Sequence, residues 1–344
     1  MREIKPTKKS FLAKIFIKLC RVLGFEIIDQ SNLSIPTSKK SLIEGISIPG
    51  KKSITIPLGK VDITRPVKSL DVILRTCMSV NMLTQSKKRM FEKNKDEYTK
   101  RTLFSIIKSV KHAKNIFKNT KFKIFIIDHN SQNKHIESLR SMLGKSSIDF
   151  EIINLQLKKF SGQIKKVNAE NKEVTPNQKS NMSNIHQSLL LSKEQSEDLT
   201  YFVEDDYIHE KDSLSEILYT YEKIASLIKK DFIICPTDYP YLYTEADKTR
   251  IFLGENKHWR QIDQSLCTFL TSKKIVEKYW EDFVSMCKFE HYPFEKPLHN
   301  IYKKELCISP IPSLAIHFTN VNSIYGFSPN VNWKRLWEEN EDKV

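Results

Sequence analysis

Between Leu70 and Ile228 short apolar runs alternate with longer segments of helical period, and no other feature restricts the fold as much. Leu70–Leu74, Phe122–Ile127, Phe150–Leu155 and the run from Thr200 to Val203 are rich in β-branched and aromatic residues, the signature of buried strands. Between them, Tyr98–Phe117 sets Leu103, Ile106, Ile107, Val110 and Ala113 on one stripe, and His135–Leu143 and Asn184–Ser192 read as further helices. Strands and helices alternating at this spacing make βαβ units. The expected class is α/β, with a mostly parallel central sheet flanked by helices.

The pattern continues downstream. Ser213–Ile228 predicts a helix on Leu214, Ile217, Leu218, Tyr221 and Ile224, and Asp231–Cys235 a strand. Trp259 to Thr271 reads as one or two strands, Ser272–Cys287 as a helix, His291–Lys304 as mainly helical after Pro297, and Leu306–Phe318 as extended. A last helix starts at Trp333. Residues 158–180 are polar, rich in Lys and Asn, and without periodicity, which predicts a loop.

Charge narrows the partner. The 344 residues carry a net +15, which points to an anionic partner: nucleic acid, phospholipid or a nucleotide-activated substrate. Residues 1–68 hold 14 Lys/Arg against 5 Asp/Glu, so the excess concentrates in a basic appendage. Within it, Ser10 to Leu23 reads as an amphipathic helix with Lys14, Lys18 and Arg21 opposite a wide apolar face. Such a face lies in a membrane interface or docks on the body of its own protein. The expected divisions are residues 1–24, this helix; 25–68, an extended turn-rich lead-in; 69–320, a catalytic domain; and 321–344, a tail. Six scattered cysteines without a Cys-x-x-Cys pair suit reduced thiols in a cytosolic protein. No apolar run reaches the length of a membrane span, and neither GxGxxG nor GxxxxGK[ST] occurs.

The fourth apolar run leads straight into Glu204, Asp205 and Asp206. Open α/β sheets bind ligands outside the carboxyl ends of their strands. Three adjacent acids there repel one another unless a positive charge sits among them. A hard divalent cation that also grips substrate phosphates would supply it; a solvated acidic turn is the plainer alternative.

Taken together, these strand ends resemble those of glycosyltransferases of the GT-A fold, nearest to the broad family-2 type, over Leu70 to Phe318. Arg75-Thr76-Cys77 is similar to the end of the family's first strand, which contacts the nucleotide. Ile126 to Ser131 resembles the second-strand motif, whose acid, here Asp128, binds the base. Asn184-Ile-His-Gln-Ser-Leu-Leu resembles the helix whose Asn-bearing start faces the donor. Phe202 to Asp206 occupies the DXD position. The resemblance implies that Asp206 holds the metal and that Glu204 meets the ribose, a metal-bound water or the metal. Asp205 joins the cofactor-binding set with Arg75, Thr76, Asp128, Asn184 and Glu204. It implies His317 as a late metal ligand, where the alternative is an ordinary hydrogen-bonded edge histidine. The general base is expected among Glu290, Glu295 and Asp238. Two departures stand out: Glu204 replaces the family's first Asp, and Lys296 follows Glu295 where the family has a Glu-Asp pair. A Rossmann-like GT-A sheet with an N-terminal amphipathic appendage is thus implied. The implied activity is transfer from a nucleotide-sugar to a glycan or lipid-linked acceptor with Mn2+ or Mg2+, in the cytoplasm or on the inner face of the membrane. A basic nucleic-acid-binding protein is a second reading, weakened by the absence of any RRM, KH or helix-turn-helix signal. A nucleotidyltransferase is a third, though Leu70–Val80 holds no glycine for a phosphate loop.

Overall fold

In a computed structural model the described residues are 11–23, 61–79, 91, 93–167, 171–244, 249–288, 295–318 and 323–341. The chain divides into two units, Met1–Lys60 and Val61–Val344. In the first, the described residues form helix α1 (Phe11–Val22), which exposes Phe11, Leu12, Ile15, Phe16, Leu19 and Val22. The lead-in expected from residue 25 lies outside the described residues as far as residue 60.

The second unit is the α/β body. Its first half runs β1 (Ser69–Thr76), α2 (Lys95–Ile116), β2 (Lys121–Asp128), α3 (Asn133–Gly144), β3 (Asp149–Asn154), α4 (Pro176–Glu194) and β4 (Leu199–Glu204). Then follow β5 (Tyr207–His209), α5 (Ser213–Ile228), β6 (Ile233–Ile234), β7 (Ile251–Leu253), β8 (His258–Gln261) and β9 (Phe269–Ser272). Helices α6 (Lys273–Lys278), α7 (Trp280–Ser285) and α8 (Lys296–Tyr302), strands β10 (Cys307–Ile311) and β11 (Ala315–His317), and α9 (Trp333–Glu339) complete it.

Nine strands form the main sheet in the order β3-β2-β1-β4-β9-β6-β10-β8-β7, and all but β9 and β8 point the same way. The sheet is therefore mostly parallel, as expected. Its central strands are buried on both faces because helices cover both: every residue of β1 is buried, and so is β4 up to its last residue. From β1 the chain moves outward through β2 to β3, then returns across both to place β4 on the other side of β1. With right-handed crossovers this reversal sends α4 to the face opposite α2 and α3. It also opens a crevice between the carboxyl ends of β1 and β4, the point where such sheets bind ligands.

Three details differ from expectation. Helix α4 begins eight residues before Asn184, at Pro176, where Thr175 and Gln178 form a reciprocal capping box. The helix expected over Ser272–Cys287 breaks at Tyr279 into α6 and α7. Tyr207–His209 leaves the acidic turn as β5, pairing antiparallel with β11 in a separate two-stranded ribbon. That ribbon matters below, because it sets His317 opposite Tyr207.

Candidate active site

The crevice is built from strand ends held in register. Thr76 of β1 lies opposite Asp128 of β2, and Arg75 lies opposite Glu204 of β4. One wall is a closed polar corner. Asp128 Oδ1 accepts from Thr76 Oγ1 at 2.7 Å and from Ser131 Oγ at 2.6 Å, and Asp128 Oδ2 accepts from the Ser131 amide at 3.1 Å. Asn130 makes the turn possible with φ at 62°, a conformation Asn tolerates better than most residues. Ser131 Oγ in turn accepts from the Met78 amide at 2.9 Å, tying the β1 and β2 ends together.

The three consecutive acids diverge, each toward its own basic side chain. Glu204 Oε1 faces Arg75 Nη2 at 2.9 Å. Its geometry is that of an ion pair and not a hydrogen bond, since Nη2 has no hydrogen-bond partner among the described residues. Arg75 Nη1 donates to Asn181 Oδ1 of α4 at 3.2 Å. Asp205 turns toward the start of α2. Its Oδ2 meets Lys95 Nζ at 3.3 Å, Thr99 Oγ1 at 3.0 Å and the Cys77 amide at 3.4 Å. Asp206 Oδ2 meets His317 Nε2 at 3.3 Å.

His317 is held on two sides. Its ring stacks on Tyr207 with centroids 4.6 Å apart and planes 6° off parallel. Its Nδ1 donates to the Tyr325 carbonyl at 2.8 Å. Burial opposes a charge on this imidazole, but Asp206 outweighs it and the pKa rises. The same balance, burial against Asp205 and then Asp206, raises Lys95.

A divalent ion fits the Asp206–His317 pair. Without an ion the charged imidazolium closes the pair by donating Nε2–H to Asp206; when a cation displaces that proton, Nδ1–H stays on the Tyr325 carbonyl and Nε2 turns a lone pair toward the ion beside the carboxylate. This is the arrangement in which metal-bound histidines are found, with the distal N–H on a backbone carbonyl fixing the tautomer. One carboxylate and one imidazole, completed by substrate phosphates and water, suit Mg2+ or Mn2+. Glu204 and Asp205 do not complete a cage, because they face Arg75 and Lys95; among the described residues no three His, Cys, Asp or Glu converge on one point.

The remaining expected residues are distributed as follows. Asn184 Nδ2 donates to the Ile127 carbonyl at 3.0 Å, while its buried Oδ1 has no partner among the described residues. Asp238 is fully buried and spoken for: Oδ2 accepts from Tyr243 OH at 2.6 Å and Oδ1 pairs with Arg260. Glu295 stands at the N-cap position of α8, without a side-chain capping bond, and is buried. Burial first, and then its charge and that of Glu204, push the Cys267 thiol up. Glu290 lies outside the described residues. Trp259 is core, donating its Nε1 to buried Glu216 at 3.3 Å. Sequence reasoning missed Lys95, Thr99, Asn181, Ser180, which bonds His129 at 2.7 Å, and the Tyr325 carbonyl. Only the Thr175/Gln178 capping box, by announcing an earlier start to α4, could have pointed to Ser180 and Asn181.

No protein-family model matches the chain, and no curated protein does. Solved structures do. Galactosyltransferase LgtC, in complex with donor and acceptor sugar analogs, is 12% identical, with 69% of this chain and 72% of that one covered at a TM-score of 0.36. The inositol-1-phosphate CTP transferase of T. maritima is 11% identical, with 81% and 98% covered at 0.37. S. aureus TarS is 11% identical, and this chain covers 29% of its length at 0.33. Likeness of this degree says nothing of substrate.

Proposed function

We propose that the protein is a metal-dependent glycosyltransferase that moves a sugar from a nucleotide-sugar to a hydroxyl of a glycan or lipid-linked acceptor. The observation that carries this reading is the Asp206–His317 pair at the switch point of the sheet, with His317 Nδ1 committed to the Tyr325 carbonyl. A divalent ion bound there would neutralise the charge that gathers on a diphosphate leaving group. The corner of Thr76, Asp128 and Ser131 would receive the nucleoside. Glu204, oriented by Arg75, would accept from the ribose hydroxyls. The acceptor oxygen bonds to the sugar's anomeric carbon as the bond from that carbon to the phosphate oxygen breaks. The bonding pair leaves with the diphosphate, and the acceptor's proton passes to a carboxylate. We assign that carboxylate to Glu295, whose charge, like that of Glu204, is felt at the Cys267 thiol beside the end of β4.

The test is thermal unfolding with UDP, GDP and CDP, each with and without Mn2+. A ligand that binds only the folded state raises the midpoint by mass action. Stabilisation by one nucleoside diphosphate that requires the metal is expected; a response to polynucleotide alone would overturn the reading. The basic, apolar-faced α1 supports a place on an anionic membrane surface. The full chain should float with vesicles containing phosphatidylglycerol and not with neutral ones, and a variant lacking residues 1–24 should not float. Equal flotation of the two proteins would rule the helix out as an anchor.

A further inference from the structure

We propose that Lys95 is a diphosphate-binding residue, which leaves Asp205 and engages the donor's phosphates when the donor enters. The inference rests on the glycosyl-transfer reading above. It starts from a difference among the three basic side chains of the rim. Arg75 is gripped by Glu204 and Asn181 and its side chain is 7% exposed. His317 is clamped between the Tyr207 ring and the Tyr325 carbonyl. Lys95 is the first residue of α2, its side chain is 15% exposed, and its contact with Asp205 is long at 3.3 Å. Charge-assisted hydrogen bonds of full strength are closer to about 2.8 Å.

Asp205 does not depend on that contact. The same Oδ2 accepts from Thr99 Oγ1 at 3.0 Å, a hydroxyl that also faces the Lys95 carbonyl at 3.2 Å, and lies 3.4 Å from the Cys77 amide, so the carboxylate is not left without a donor when the ammonium withdraws. A lysine is a point charge on a flexible four-carbon stem and can follow a moving anion, which a forked and buried guanidinium cannot. Lys95 also senses Asp206 directly after Asp205, so its ammonium lies within electrostatic reach of the pair assigned to the metal. A diphosphate brought there adds negative charge to a rim already lined by Asp128, Glu204, Asp205 and Asp206. When the anomeric C–O bond breaks, the electron pair stays on the terminal phosphate oxygen. An ammonium placed against it stabilises that charge without a proton changing hands.

The experiment compares nucleoside diphosphates with their nucleosides. With Mn2+ present, calorimetry on Lys95→Met should show UDP, GDP or CDP binding at least about 10-fold more weakly than to the wild type. Binding of uridine, guanosine or cytidine should be unchanged, and Lys95→Arg should recover part of the loss. In the wild type, the bound diphosphate, but not the nucleoside, should protect Lys95 from acetic anhydride; this reading survives even if the Met variant does not fold. Equal loss for diphosphate and nucleoside, no loss, or no protection overturns the role of Lys95. Failure of the wild type to bind any nucleoside diphosphate with Mn2+ overturns glycosyl transfer itself, and this inference with it.

Discussion

The two ends of β1 and β4 carry charge clusters of similar composition and opposite finish. At the amino ends Arg65 reaches Asp198 through Nη1 at 3.0 Å and through Nη2, and Asp231 through Nε at 2.8 Å. Asp198 Oδ2 also accepts from the Lys68 amide at 2.8 Å, Glu222 Oε1 from the Val67 amide at 2.7 Å, and Ser226 Oγ from the amides of Thr64 and Arg65. Burial alone would lower the Arg65 pKa, and the hydrogen bonds to Asp198 turn the shift upward. At the carboxyl ends the pairs are looser, at 2.9 to 3.3 Å, and Arg75 Nη2 and Asn184 Oδ1 are buried without hydrogen-bond partners among the described residues. Buried polar groups are normally satisfied, and an absent water, ion or ligand is one reason for an unsatisfied one. Ser69 Oγ at the amino end is buried without a partner among the described residues too, so the contrast lies in the ion pairs: Arg65 and the Lys68 amide hold Asp198 in a latch that fastens residues 64–68 to the body, while the carboxyl-end pairs are looser, as a binding site needs.

A crossed pair of variants breaks or sharpens that contrast. Asp206→Ala should lower transfer by about 10³-fold or more, the order lost when a preorganised charge-stabilising group is removed. At pH 8, where the His317 imidazole can shed its proton, the urea midpoint of this variant should fall far less than that of Arg65→Ala. Arg65→Ala should do the reverse. It strands two largely buried carboxylates, with side chains 8% and 11% exposed, which costs about 3 kcal/mol or more. Turnover per folded molecule should stay unchanged. If Asp206→Ala instead unfolds the protein while keeping its specific activity, the carboxyl-end cluster is structural and the contrast fails.

The same contrast explains what was legible in the sequence. Thr76, Asp128 and Glu204 could be read because each ends an apolar run, and register does the rest: parallel strands of matched length bring their last residues side by side. The partners of these acids could not. Thr99 meets Asp205 across 106 positions, and Asn181 meets Arg75 across 106 more. Such contacts depend on how helices lie over the sheet, which local period does not encode. The first two turns of α4 looked like loop because Asn, Gln, Ser and Lys carry no apolar stripe; neighbouring α6 and α7 and the sheet supply the stability that propensity does not. Three adjacent acids call for a cation to relieve their repulsion; Arg75 and Lys95 relieve two of them, which leaves Asp206, with His317, to a metal.

A half-buried and a fully buried histidine extend the comparison with a smaller effect. His317, at the site, is raised because a carboxylate faces it. His209 lies in the core, its Nε2 2.6 Å from Tyr201 OH and its Nδ1 3.3 Å from Ser105 Oγ, with no carboxylate partner described. Burial drives its pKa down to about 3, so it stays neutral in the fold. An unfolded histidine takes its proton near pH 6.5. Between those values the unfolded chain binds a proton that the folded chain refuses, so stability falls as pH drops through this window and is undiminished above it. By pH 5 the loss from this residue amounts to about 2 kcal/mol. Urea unfolding of the wild type and of His209→Gln from pH 8 to pH 5 should show the wild type losing that much more stability than the variant. Parallel profiles would mean that His209 is protonated in the folded core, and that burial alone does not separate the two histidines.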